Sequence, residues 1–132
     1  MPEILNAQQL IRLAHCLTQM QLSLTDYELR HYAELTTTQK NKIEGTLTQL
    51  AVAAGRMYAY SVQLVFTDSE TQLKSLSRDS ESLKKFLKTA QKIQQVLDIV
   101  SSVASLAESI ISHDPGGIAA GIDDFTKLVS NS

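Results

Sequence analysis

No tryptophan occurs in the 132 residues, and aromatic side chains make up only 5% of them. Proline appears twice and glycine five times, too few to supply the turns of an all-β protein. The core must therefore be built from Leu, Ile, Val and Ala, a composition typical of helix-on-helix packing. These scarcities favour an all-α fold.

A single cysteine, Cys16, excludes an internal disulfide, and its place in an apolar helical pattern predicts a buried side chain. The sequence contains no run of about 18 apolar residues, which argues against a permanent membrane span. The first residues show neither the basic nor the apolar region of a signal peptide. We therefore expect a soluble, cytoplasmic protein.

The chain has no basic excess, since it contains 12 Lys and Arg residues and 14 Asp and Glu residues, which gives a net charge of -2. The acidic excess is concentrated in residues 93–132, which hold five acidic residues and one basic residue. Phosphate binding requires a basic surface. The charge balance therefore argues against nucleic acid as the partner.

The clearest pattern is an apolar ladder with 3-4 spacing between residues 83 and 111. Its members are Leu83, Phe86, Ala90, Ile93, Leu97, Val100, Ala104, Ala107 and Ile111. Such spacing over about four heptads predicts one long packing helix. A group of serines just before it predicts a break or bend around residues 77–82.

Capping signals predict where the other helices begin. Asn6 is an N-cap candidate for a first helix that buries Ala7, Leu10, Leu13, Ala14, Leu17 and Met20. Capping boxes at residues 25–28 and 36–39 predict a short helix through Leu35 and a longer one to Phe66. That longer helix carries a ladder of Ile43, Leu47, Leu50, Ala54, Met57, Ser61 and Leu64.

Two further signals concern the middle and the end of the chain. The small residues 51–55 predict that another backbone approaches this helix closely at Gly55. A third capping box at residues 67–70 opens the segment before the long ladder. Asp114 and Pro115 predict the N-cap and first turn of a last helix. Residues 1–132 are thus predicted to form one domain, an antiparallel bundle of about four main helices plus short extra helices.

The polar residues offer weak signals for chemistry. Glu28 and His31 have the spacing of ferritin-like ligands, but no second such pair occurs, so we predict no metal site. Gly116–Gly117 could cradle a phosphate but lacks the lysine of a P-loop. We predict no catalytic residue and no cofactor, although a cleft that placed His15, His31 or His113 beside a carboxylate would indicate an enzyme.

A basic stripe is the first candidate binding feature. Its residues recur at 3-4 spacing on the flank away from the ladder, interrupted by Glu81: Lys74, Arg78, Lys85, Lys88 and Lys92. Such a stripe could receive an acidic partner helix or an anionic membrane surface, or could simply be a solvated face.

Residues 96–111 are apolar nearly all round, with a thin polar strip that includes Asp98 and Glu108. Such a helix lies either at the centre of a bundle or against a partner. We predict a non-enzymatic interaction or adaptor module that binds a protein partner or a second copy of itself. The predicted contacts are Val96, Val103, Leu106, Ile110, Ile118 and Phe125.

An alternative is a membrane-acting bundle with a concealed apolar hairpin. Two apolar segments flanking Gly116–Gly117, next to the basic stripe, make residues 83–130 similar in outline to helical pore-forming proteins and four-helix cell-death effector domains. Against this alternative, residues 96–111 would span about 24 Å, short of a hydrocarbon core of about 30 Å. They also carry two carboxylates.

Overall fold

The computed structural model of the chain describes residues 2–59 and 63–130, and it confirms an all-α bundle. The described residues form five α-helices: α1 Ala7–Arg30, α2 Thr37–Tyr58, α3 Ser69–Thr89, α4 Ile93–Ile111 and α5 Pro115–Ser130. A 3₁₀ turn, Tyr32–Glu34, follows α1. Two short strands, β1 Glu3–Ile4 and β2 Val65–Phe66, pair antiparallel.

Three of the predicted helix starts are confirmed. Asn6 and Thr36 each accept a hydrogen bond from the backbone three residues on, and Gln9 and Gln39 return the bond. Asp114 Oδ1 accepts from the Gly117 N–H at 3.1 Å ahead of α5. At α3 the predicted box does not form, because Asp68 is the N-cap and the side chain of Gln72 bonds to its backbone N–H instead.

The predicted short helix at residues 26–35 is wrong, because α1 continues to Arg30. The Thr25 hydroxyl donates to the carbonyl of Gln21 at 2.8 Å, one turn back, and so makes a bond within the helix instead of a cap. The predicted extension of α2 to Phe66 is also wrong. The helix ends at Tyr58, and Phe66 reaches the core from β2. Ser61 of the predicted ladder lies outside the described residues.

The long ladder is divided between two helices. The backbone is extended at Ala90 and Lys92, so the predicted single helix over residues 83–111 is wrong. The predicted break around residues 77–82 is also wrong, because α3 is continuous there. A single helix from Ser69 to Ile111 would be about 65 Å long, whereas the 24 residues of α1 span about 36 Å. The turn at residues 90–92 brings the second apolar segment back onto the bundle, which is why the ladder does not form one rod.

The main packing partners of the five helices form a closed ring. Helix α1 packs on α2 and α3, α4 packs on α2 and α5, and α5 closes the ring against α3. The core between them is mainly aliphatic, with Tyr27, Phe66 and Phe125 among its largest side chains. Cys16 is buried, as predicted. Gly55 instead faces open space among the described residues, so the predicted close approach there is wrong.

Candidate interaction surface

The six side chains predicted as exposed partner contacts lie in the core. Each is 0% exposed in the ring of helices: Val96, Val103, Leu106, Ile110, Ile118 and Phe125. Helix α4 is covered by α2 on one side and α5 on another, so its nearly all-round apolar surface is satisfied within the chain. The expectation that these residues are exposed is therefore wrong, and a surface for a partner must be sought elsewhere.

The basic stripe is solvent-exposed along α3. Lys74, Arg78, Lys85 and Lys88 occupy its outer face, and Lys92 follows in the turn before α4. Arg78 Nε lies 3.4 Å from the buried carboxylate of Asp79. The structure thus brings the predicted stripe together as one positively charged face.

Helix α1 carries a second row of side chains that faces solvent. Its members recur at alternating spacings of four and three, and none is buried: Ile11, His15, Thr18, Leu22, Thr25 and Leu29. We call this set the outer row. Leu22 and Leu29 are 64% and 69% exposed, among the most exposed large apolar side chains of the described residues. The outer row is about 27 Å long and has the geometry of one side of a helix-helix contact.

The sequence contains this signal, but the predicted break at Thr25 concealed it. With a helix start placed there, Leu22 and Leu29 belong to different helices and share no face. Because the Thr25 hydroxyl bonds within a continuous helix, the two leucines lie seven residues apart on one face. A test for 4-3 spacing across the supposed cap would have found the outer row.

On the α2 side, the middle of the outer row borders a stretch without charge, whereas Lys40 and Glu44 of α2 act on Glu28 at the end near Leu29. Residues 45–55 of α2 include no Asp, Glu, Lys or Arg, and residues 13–25 of α1 include none either. Aromatic rings contact the two ends of α2: the ring centroids of His15 in α1 and Tyr58 lie 6.0 Å apart, and the Lys40 ammonium lies 3.6 Å from the ring centroid of Tyr32 in the 3₁₀ turn. Depletion of charge is the compositional mark of the centre of protein interfaces.

On the α3 side, the outer row borders a groove with a cavity of about 200 Å³. Leu22 and Leu87 provide its apolar lining, and its polar lining comes from Gln19, Ser23, Asp26, Arg30, Lys84 and Lys88. Arg30 crosses the groove, since its Nε bonds to Asp26 Oδ2 at 2.9 Å and its Nη2 bonds to the Leu87 carbonyl at 3.2 Å. The groove thus has an apolar floor and a predominantly basic rim.

The candidate residues for chemistry do not converge. Burial raises the pKa of the Cys16 thiol, whose sulfur lies 3.5 Å from Ser77 Oγ, so the thiolate is disfavoured. His31 does lie beside a carboxylate, since its Nδ1 contacts Glu34 Oε2 at 2.8 Å, but Glu34 is exposed on the turn after α1 and the imidazole stacks on Tyr27. Among the described residues, no group of three or more His, Cys, Asp or Glu side chains could hold a metal ion.

The backbone N–H of Gly117, which a phosphate would need, is taken by the chain itself. Asp114 bonds to the N–H of Gly117, and a Cβ on Gly117 would lie 2.7 Å from Asp114 Oδ2 and from Ser109 Oγ. The absence of a side chain at Gly117 therefore permits the tight turn between α4 and α5.

Comparison with models of protein families, with curated proteins and with solved structures finds no match for this chain. In the described part of the chain, no helix has the combined length and hydropathy needed to cross a bilayer.

Proposed function

We propose that this protein is a non-enzymatic interaction module that binds a helix of a partner protein along the outer row of α1. The observation that carries the proposal is the pair Leu22 and Leu29, about two-thirds exposed and aligned on one helix face. Exposed apolar groups concentrated on one face mark binding sites more often than isolated ones do. An amphipathic helix laid against them is a common mode of recognition.

The small apolar area of the outer row limits the affinity with which it can bind a partner helix. Complete burial of a fully exposed leucine contributes about 1.5–3 kcal/mol. Because Leu22 and Leu29 are already about one-third buried, the two together supply roughly 2–4 kcal/mol. A micromolar complex requires about 8 kcal/mol, after association costs have been met. The groove beside Leu22 and the uncharged surface of α2 must therefore contribute to any stable complex.

The proposal can be tested by selection from a displayed library of helical peptides of about 18 residues, the length of the outer row. The target is the full chain, and the comparison target is the variant Leu22→Glu/Leu29→Glu. Ile4→Glu is the matched control, since Ile4 is an exposed apolar residue of β1, outside the outer row and outside its two flanking helices. Circular dichroism melts establish first that all three proteins are folded.

We expect the selected peptides to bind the wild type and Ile4→Glu alike, and to bind the double variant at least about tenfold more weakly. Equal binding to the double variant, or no enrichment, would overturn the proposal. A dimeric mass in sedimentation equilibrium that the double variant abolishes would also overturn it, because the outer row would then join two copies of this chain.

A further inference from the structure

We propose that the partner helix carries acidic side chains along its edge facing α3 and inserts one apolar anchor residue into the groove between α1 and α3. This inference rests on the proposed function and specifies the chemistry of the partner. It follows from the volume of the groove, from the charges on its rim and from the contrast between the two flanks of the outer row.

The groove suits a side chain better than a small-molecule ligand. Its volume of about 200 Å³ is below the range of about 300–1,000 Å³ that is usual for ligand pockets. Leu87, which is buried, lies in its lining, and exposed Leu22 joins it to the outer row. Apolar anchors seated in such pockets dominate the affinity of many protein interfaces.

The rim of the groove has an excess of positive charge. Three basic residues, Arg30, Lys84 and Lys88, face one acidic residue, Asp26. Asp26 is already paired with Arg30. Among the described residues, no carboxylate forms an ion pair with Lys84 or Lys88, and these two lysines lie four residues apart on α3. Two ammonium groups are therefore available to carboxylates about one helical turn apart.

The two flanks of the outer row differ in charge, and this difference determines which edge of the partner helix should carry acidic residues. On the other flank, residues 45–55 of α2 carry no charge. A helix in the outer row therefore gains most from carboxylates on the edge that faces Lys84 and Lys88 of α3, since the exposed residues of this α2 stretch, such as Ala51 and Thr48, are neutral. Complementary charges of this kind determine orientation and specificity more than affinity.

A protein helix fits this surface better than an anionic membrane does. The outer row alternates its leucines with Thr18, Thr25 and His15, and only Leu22 lies in the basic groove. Lys74, Arg78 and Lys85 lie on the outer face of α3, outside the lining of that groove. Three of the five residues of the basic stripe therefore lie away from the exposed leucines, whereas membrane adsorption would favour basic and apolar residues in one plane.

The test uses the same selection with a library that fixes one apolar row and randomises the residues on both flanks. The wild type is compared with Lys84→Glu/Lys88→Glu, which reverses the rim charge. Lys74→Glu/Lys92→Glu is the matched control, since it makes the same change in net charge away from the groove. Vesicles of phosphatidylcholine with phosphatidylserine provide a separate arm.

We expect Asp and Glu to be enriched on one flank of the peptides selected by the wild type and by the control. The rim variant should lose that enrichment, and it should bind the acidic peptides about tenfold more weakly at low salt. High salt should reduce this difference.

The outcomes separate the two proposals. Selected peptides that require Leu22 and Leu29 but show no acidic flank would overturn this inference and leave the proposed function intact. Failure to select any peptide would overturn both. A third outcome is that the wild type selects no peptide but binds the anionic vesicles, and that the rim variant does not bind them. This result would identify the surface as a lipid-binding site and would also overturn both proposals.

Discussion

The carboxylate of Asp79 in α3 accepts a short hydrogen bond from the hydroxyl of Thr126 in α5. Asp79 is almost completely buried, and its other oxygen lies 3.4 Å from Arg78 Nε. This bond is a polar link inside the contact that closes the ring of helices. A buried carboxylate that is hydrogen-bonded specifies one alignment of the two helices, because any other alignment leaves it unpaired.

Replacing Thr126 by Ala should destabilise the fold by about 1–3 kcal/mol, because one oxygen of Asp79 loses its donor while it stays buried. Urea denaturation monitored by circular dichroism measures the change. Thr126→Ser keeps the hydroxyl and is the matched control. If Ala and Ser at this position unfold at the same urea concentration, the hydrogen bond does not stabilise the contact between α3 and α5.

Glu28 should make the stability fall with rising pH. Burial, together with the nearby carboxylate of Glu44, raises the pKa of Glu28 despite the opposing charge of Lys40, and one of its oxygens has no partner among the described residues. Since the folded protein holds this proton more tightly, stability is lost between the ordinary glutamate range and the raised pKa, and then levels off.

Glu28→Gln should therefore stabilise the protein at neutral pH, by the order of 1 kcal/mol, and the gain should shrink in acid. Urea melts over a pH series measure both effects. Glu81→Gln, the same substitution at an exposed position, is the comparison. A gain that grows toward acid would contradict the raised pKa.

Alanine substitutions at two helical glycines should have opposite effects. Gly55 of α2 has open space around it, so Gly55→Ala should stabilise the protein by about 0.5–1 kcal/mol through helix propensity. A Cβ at Gly121 of α5 would lie 3.3 Å from the backbone Cα of Leu106 in α4. Gly121→Ala should therefore force α4 and α5 apart and lower the thermal midpoint. A rise of the midpoint in both variants would contradict the close approach.

Substitution by aspartate should destabilise the protein far more in the core than in the outer row. Val103→Asp would bury a charge inside α4 and should cost more than about 4 kcal/mol, which is enough to unfold a small domain. Leu22→Asp changes an exposed residue and should alter stability by less than about 0.5 kcal/mol. Circular dichroism melts of both variants check this contrast. An unchanged melt for Val103→Asp would contradict the central place of α4.

Local signals predicted much of the fold correctly, since the caps at Asn6, Thr36 and Asp114 depend only on residues a few positions apart. The break at residues 90–92 was not predictable in the same way. No glycine or proline marks it, and the ladder keeps its spacing across the turn. Its cause is tertiary, because the second half of the ladder is buried only when it folds back between α2 and α5.

The candidate surface shows the same limit more clearly. Val96 and Phe125 were predicted as contacts because apolar pattern alone does not tell which side of a helix its own chain covers. Leu22 and Leu29 stand out only once the other faces of α1 are covered by α2 and α3. The solvent exposure of a side chain depends on how the helices pack, so it cannot be predicted from the composition or the spacing of residues alone.

The ring of helices also has a consequence for how the molecule opens. Each helix packs against two other helices. Detaching one helix therefore exposes the apolar faces of both of its partners to water. Partial openings should therefore be nearly as unfavourable as complete unfolding, and the slowest-exchanging amide hydrogens should be spread over all five helices instead of being confined to one subdomain. The bundle would then open as a single cooperative unit.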